Sequence, residues 1–269
     1  AMYSLATILS NAPGPDYFTY LGTVDAYMYD MEIEDGNVYI MMEADEAGNF
    51  VTNGSSYQGG WYDAYFMKID SSSMAAQTLL PSHPSNFASY FGGPEEEYVY
   101  EGQFGVDSGR MYLAFTTYSD NLPTTNGTVY SSLTDDEQGY VLRISPNTID
   151  NHLPILSSPG DFGTYIECLD DMWVEAALYD NGRFYVSADT WGGGLPISVG
   201  PSISTSSNII AMYSDVAMDA QSAMPDYCTH YDASGSSDPE VLASFNGDLY
   251  VGSDGTVTSL PLSPGNVPN

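Results

Sequence analysis

The sequence predicts an all-β protein, a four-bladed β-propeller of four-stranded antiparallel blades whose last blade is closed by the N-terminal strand. Three observations lead there. The composition, with 26 Gly, 16 Pro and 23 Tyr, is that of strands and turns rather than helices. A turn followed by an apolar strand recurs four times. The chain also ends one strand short of a full repeat, and its first residues resemble the strand that is missing.

The recurring segments are Asp35-Gly36-Asn37-Val38-Tyr39-Ile40, Ser108-Gly109-Arg110-Met111-Tyr112-Leu113, Asn181-Gly182-Arg183-Phe184-Tyr185-Val186 and Asn246-Gly247-Asp248-Leu249-Tyr250-Val251. Their glycines are 109 − 36 = 73, 182 − 109 = 73 and 247 − 182 = 65 residues apart. Asn-Gly or Asp-Gly between two apolar runs marks a tight hairpin, because primed turns need positive φ. A fixed period of this length is the signature of a repeat architecture.

Each hairpin turn is preceded by a first strand, such as Met31–Ile33 or Val174–Leu178, and opens a second. After a long polar loop come third strands at Tyr65–Asp70, Tyr140–Ser145 and Ile209–Ser214. Fourth strands are expected at Met74–Leu80 and Ile149–Leu156. The last copy has Val241–Phe245, Asp248–Ser253 and Thr256–Leu262, and Met2–Ser10 is expected to supply its fourth strand. Such closure protects sheet edges. The repeats fall at about 11–82, 83–157, 158–225 and 226–269 plus 1–10, in one domain over 1–269.

The third strand of the first repeat, Asp63-Ala64-Tyr65-Phe66-Met67-Lys68-Ile69-Asp70, resembles the D-A-F-x-x-K-[LI]-D signature of microbial extracellular β-propeller repeat proteins. Gln138–Ser145 keeps its outline. The resemblance covers one strand per blade and implies a propeller of extracellular type. It brings no catalytic residues with it, since the signature is structural.

Thirty-six Asp and Glu stand against four Lys and Arg, a net charge of −32. Nucleic acid and anionic membrane surfaces need cations on the protein and are excluded as partners. No apolar run approaches the ~20 residues of a membrane span. Carboxylates without cations must be screened by salt or by bound metal ions, which suits a saline or calcium-bearing exterior. Ala1–Ser10 shows no basic n-region of a signal peptide.

The four cations sit in repeat-equivalent pairs, Lys68 with Arg143 and Arg110 with Arg183, which predicts structural pairing with carboxylates between strands or blades. One acid precedes each hairpin glycine by six to eight residues: Asp30, Glu101, Glu175 and Glu240. A second set lies further upstream, at Asp25, Glu97, Asp171 and Asp238. Ringed around a channel mouth, these carboxylates would hold Ca²⁺, which takes six to eight oxygen ligands. Spread over an acid-rich surface, they are solvated loop residues.

No G-x-S-x-G, H-E-x-x-H or phosphate-binding glycine loop occurs, and His83, His152 and His230 share no metal-ligand spacing. Cys168 and Cys228 occupy similar places in successive repeats and form either a disulfide between blades or two separate buried thiols. Trp61, Tyr57, Tyr118 and Trp191 lie in or beside the long loops, where they stack on sugars or pack on blade faces. Asn53 and Asn126 in the same loops are glycosylation sequons.

These features describe a secreted or cell-surface acidic propeller serving as a binding or structural module. It would self-associate or take an extracellular glycan or protein ligand, and could act as a calcium-dependent subunit of a filament or matrix. The alternative is a carbohydrate-active enzyme, a glycoside hydrolase or lyase, or a lectin-like sugar binder.

Overall fold

A computed structural model describes residues 25–77, 80–100, 104–125, 137–166, 171–191, 207–232, 240–246, 248–253 and 256–261. These form four antiparallel sheets in chain order. The first comprises β1 (Ala26–Glu34), β2 (Asn37–Ala44), β3 (Asp63–Ile69) and β4 (Phe87–Phe91), in that spatial order. The second has a first strand split into β5 (Glu97–Tyr98) and β6 (Phe104–Asp107), both paired with β7 (Arg110–Thr117), then β8 (Gln138–Ile144) and β9 (Phe162–Ile166). The third is β10 (Met172–Asp180), β11 (Arg183–Thr190), β12 (Ser207–Ser214) and β13 (Tyr227–Asp232). The fourth contains β14 (Val241–Phe245), β15 (Asp248–Ser253) and β16 (Thr256–Pro261). Residues 2–10, expected to complete it, lie outside the described residues.

The hairpins form as their turn residues require. Asp35 and Gly36 have φ of 49° and 79°, Ser108 and Gly109 of 53° and 74°, and Asn181 and Gly182 of 49° and 79°. Two successive positive values are the type I′ turn, whose twist matches that of the flanking strands.

The fourth strands are not where the sequence reading put them. Met74 lies on a one-turn helix, α1 (Ser71–Ala75), and Ile149 on its counterpart α2 (Pro146–Asp150). The third sheet has α3 (Asp215–Asp219) at the same place. The sheets close instead with β4, β9 and β13, so the repeat limits at 82, 157 and 225 cut ahead of the strands they should include. The cause is local capping. Side chains of Asp70, Ser145 and Ser214 accept hydrogen bonds from the backbone of Ser72, Thr148 and Ala217, and turn each chain out of its third strand. The N–H of each cap residue is then held by the residue before the fourth strand: Asp70 by Asn86 (2.8 Å), Ser145 by Asp161 (2.8 Å) and Ser214 by Asp226 (2.7 Å).

The core lies in the seams between successive sheets. Tyr39, Met41, Phe66, Phe87 and Phe91 of the first pack with Phe104, Leu113, Phe115, Tyr140 and Leu142 of the second. Tyr112, Val141 and Phe162 of the second pack with Val174, Phe184 and Tyr213 of the third, and Ala176, Tyr185 and Ile210 pack with Leu242, Leu249 and Val251 of the fourth. Strands β3 and β8 are buried on both faces throughout, as middle strands sandwiched between layers must be.

The cations bridge the same seams. Lys68 in β3 reaches Asp150 in α2 at 2.9 Å, and its equivalent Arg143 in β8 reaches Asp219 in α3 at 2.7 Å and Asp215 at 3.4 Å. Each cation therefore ties its own sheet to the helix of the next. Glu34, at the end of β1, adds another tie by accepting from the backbone N–H groups of Ser108 and Gly109 in the second hairpin turn.

Candidate functional site

The hairpin glycines give a common ruler for the first strands. Seven residues past each glycine on the second strand stand Glu43, Thr116 and Asp189, paired with Tyr27, Tyr98 and Trp173. These three aromatic residues are thus equivalent and point the same way from three successive sheets. Two residues on, the next outward position holds Tyr29, Tyr100 and Glu175.

The rings meet. Tyr27 contacts Tyr62 with centroids 6.2 Å apart, and Tyr62 contacts Tyr98 at 5.6 Å. Tyr98 is the hub, touching Tyr118 at 5.7 Å, Trp173 at 5.7 Å and Tyr100 at 6.2 Å. Tyr100 continues to Trp173 at 6.0 Å and to Tyr29 at 6.0 Å. Seven rings from three sheets form one continuous patch. Tyr27 is 50% exposed, and the other six are partly accessible.

Carboxylates surround this patch. Glu43 accepts the Val99 backbone N–H at 2.8 Å and the Tyr29 hydroxyl, and burial pushes its pKa up to about 7. The Tyr118 hydroxyl donates to Glu137. Burial first, and then the charges of Glu96, Glu43, Glu137 and Glu175, hold the Tyr98 and Tyr100 hydroxyls above the usual phenol range, and burial with Glu43 pushes Tyr29 to about 12. The phenols therefore stay protonated and act as donors in a negative field. All four Lys and Arg lie toward the opposite end of the sheets. Arg110 and Arg183 directly follow hairpin glycines, and Lys68 and Arg143 pair with Tyr39 and Tyr112, three residues past them.

Below Tyr98, on the other face of β5, Glu97 is fully buried against Asp63, also fully buried. Two carboxyls enclosed together cannot both ionise without strong repulsion, so the pair keeps a proton. Glu97 accepts from Thr117 Oγ1 at 2.9 Å and Gly93 N at 3.1 Å, while Asp63 Oδ2 accepts from Gln58 N at 2.6 Å. Asp63 Oδ1 has no hydrogen-bond partner and is the natural seat of the proton. Burial raises both carboxyls. At the next seam the corresponding places hold Gln138 and Met172, so the acid pair belongs to the first seam alone among these two.

A carboxyl whose pKa is higher in the folded than in the unfolded chain keeps its proton after the unfolded chain has lost it. Its contribution is complete below the unfolded value, about 4, and is lost as pH rises through the folded one. The melting temperature is therefore expected to fall from mildly acidic toward alkaline pH. Asp63→Asn supplies a permanent N–H to Glu97 and should flatten that decline. A decline of unchanged slope in D63N would exclude the pair as its source.

The predicted carboxylate rings come out differently. Asp30 pairs with Met41, five residues past its glycine, as Ala176 pairs with Ser187, and β-bulges precede both. Glu175 is the bulge residue and matches Tyr29, not Asp30. Glu240, exposed before Val241, falls in line with Glu175. In the upstream set Glu96 is the match for Asp25 and Asp171, while Glu97 turns inward. Glu101 and Asp238 lie outside the described residues. Among the described residues no three His, Cys, Asp or Glu side chains gather in a metal-holding group.

Of the loop aromatics, Tyr118 joins the patch. Trp61 and Trp191 are 68% and 43% exposed, and Tyr57 packs edge-on against Tyr90 with its hydroxyl donating to Gly60 O at 2.9 Å. The Asn53 amide donates to Ser89 Oγ at 2.9 Å and Leu153 O at 3.2 Å, and a glycan would replace one of those N–H donors. Asn126 and Cys168 lie outside the described residues, and Cys228 is fully buried in β13, where burial pushes its thiol up to about 12.

The patch was missed from sequence although it carries a signal, the Tyr-x-Tyr pairs at 27/29 and 98/100. Their distances to the hairpin glycine are 36 − 27 = 9 and 109 − 98 = 11, because the first strand of the second sheet is interrupted between β5 and β6. That offset hides the equivalence until pairing is known.

Fold and site together define an all-β protein of successive antiparallel sheets bearing an aromatic–carboxylate surface. No protein-family model and no curated protein matches the sequence. Solved structures similar to it include the acylaminoacyl peptidase of Pyrococcus horikoshii (9% identity, TM-score 0.37, 88% of this chain and 32% of that one). Drosophila Semaphorin 2a is similar at 10% identity and TM-score 0.36, over 89% of this chain and 44% of that one. CoXyl43, a GH43 β-xylosidase/α-arabinofuranosidase from a compost microbial metagenome, is similar at 13% identity and TM-score 0.36, over 85% and 70%. The chain thus spans less than half the length of the first two, and at these scores no residue role carries across. Among the described residues no helix is long and apolar enough to cross a membrane.

Proposed function

We propose that this chain is a secreted or cell-surface four-bladed β-propeller that binds glycan chains through its aromatic–carboxylate patch. The observation that carries the reading is the equivalent row Tyr27, Tyr98 and Trp173, one ring from each of three sheets, joined by Tyr62, Tyr100 and Tyr118. Sugar rings have apolar faces that stack on such side chains, and hydroxyl groups that pair with phenols and carboxylates at their edges. A surface repeated at sheet spacing suits a polymer better than a single small ligand.

Ring closure is supported by the two ends of the stack of sheets. Met28 is 55% exposed, although its equivalents Val99 and Val174 are fully buried against a preceding sheet. Ile33 on the same strand, and Val241 and Phe245 on β14, are also mostly exposed. The first and last sheets thus each present apolar surface that contact between them, aided by the N-terminal strand, would bury. A hydrolase or lyase finds less support, since Asp63 and Glu97 are sealed beneath the patch and meet no substrate.

Titration of the native protein against oligosaccharides, followed by calorimetry and Trp fluorescence, tests the reading. Tyr98→Ala, which removes the hub, is expected to weaken binding roughly 30-fold, the loss of a hot-spot ring. No cleavage products should appear. Binding that survives in both Tyr98→Ala and Trp173→Ala, or turnover of the glycan, would overturn it.

A further inference from the structure

We infer that the glycan held by the aromatic patch is cationic, a chain of amino sugars bearing free ammonium groups. This rests on the glycan-binding reading and assigns the chemical class of its ligand. The argument begins with charge placement. The chain carries four Lys and Arg in 269 residues, and all four occupy strand positions toward the hairpin end, where Lys68 and Arg143 are committed to Asp150, Asp215 and Asp219. The patch lies at the other end of the same sheets, with the partly exposed Glu96, Glu137 and Glu175 as its rim, while Glu43 is buried beneath it and already occupied by the Val99 N–H and the Tyr29 hydroxyl.

Three ligand classes meet that surface differently. An anionic glycan, sulfated or uronate, is repelled by the local carboxylates and by a net charge of −32. A neutral glycan stacks on the rings but takes water from the carboxylates without replacing it with charge, which costs binding energy. An ammonium-bearing glycan stacks its ring faces, places its cations over the electron-rich faces of Tyr and Trp, and pairs with the rim carboxylates. The Tyr98 and Tyr100 phenols, with an ordinary pKa of about 10, are protonated at mildly acidic pH and are neutral donors to sugar hydroxyls. A free-amine polymer uses every group the patch displays.

The test compares three oligomers of equal length at mildly acidic pH: glucosamine, N-acetylglucosamine and glucose. The glucosamine oligomer is expected to bind at least 10-fold more tightly than the other two. High salt should collapse most of that advantage, because the rim contacts are partly solvated, and Glu175→Gln should reduce the preference ratio. Equal affinity for all three would overturn the inference while leaving glycan binding intact. No affinity for any of them would count against the glycan reading itself. An oligolysine binding as tightly as the glucosamine oligomer would show that charge alone is recognised, and would overturn the assignment to a sugar.

Discussion

Replacing Asp215 by alanine is expected to lower the unfolding free energy by about 2–4 kcal/mol, the cost of leaving buried donors without their acceptor. Asp215 opens α3 and gathers groups from two sheets. Its Oδ1 accepts from the Tyr112 hydroxyl at 2.7 Å and from Arg143 Nη1 at 3.4 Å, and its Oδ2 accepts from the Tyr179 hydroxyl at 2.9 Å. Arg143 is fully buried and keeps Asp219 at 2.7 Å, but its Nη1 cannot recover water in place of Asp215. Tyr112 is also fully buried and stacked on Tyr179 at 4.1 Å, and would lose the acceptor of its hydroxyl.

Arg143→Met should cost less, about 1–2 kcal/mol. The carboxylates left behind, Asp215 and Asp219, keep 28% and 64% side-chain exposure and can hydrate, while the methionine stem refills the space. Urea unfolding of both variants, with m unchanged, reads the order directly. A larger loss in R143M would mean that packing by the arginine stem, and not charge compensation, holds the seam between the second and third sheets.

Gly60→Ala is the second change expected to have a large effect. Gly60 has φ of +68°, and a Cβ there would lie 2.5 Å from the carbonyl carbon and oxygen of Glu95 and 2.8 Å from the nitrogen of Glu96. Those are backbone atoms leading directly into β5, so relief requires moving Glu97 and Tyr98. The expected cost is about 3 kcal/mol, combining the left-handed backbone with the steric overlap. Glycan affinity should fall as well, because Tyr62 and Tyr98 face each other across this contact at 5.6 Å. Gly54→Ala is the control. It has a similar φ of +76° but nothing within 4 Å of the added Cβ, so only the backbone cost of about 1 kcal/mol remains. Equal losses in the two variants would show that the approach of the loop to Glu95 does not matter.

Much of the framework was legible because it rests on short-range chemistry. Asp35-Gly36, Ser108-Gly109 and Asn181-Gly182 turn where positive φ is cheap, and the apolar runs beside them pair as hairpins without any help from the rest of the chain. The equivalent cations were legible too, since the period places Lys68 and Arg143 alike, and both reach into the following sheet's helix. The fourth strands were harder. Met74–Leu80 and Ile149–Leu156 have apolar content fit for a strand, but Asp70 and Ser145 cap one helical turn first, and Asn86 and Asp161 lock the caps from a distance of 16 residues each. Propensity in those segments yields to polar side chains that satisfy backbone groups.

The sequence by itself determined the class of protein, the repeat and the charge imbalance, because turns, strand patterning and composition are properties of neighbouring residues. Only the tertiary structure decided which acids and aromatics share a surface. The bulges before Asp30 and Ala176 each add one residue to a first strand, whereas the interruption in the second sheet adds three, so Glu97 falls one position away from the match of Asp25 and Asp171, and in a strand a step of one sends a residue to the opposite face. That single step takes Glu97 out of the expected ring and seals it against Asp63, and it sets Tyr98, its neighbour, at the centre of the patch.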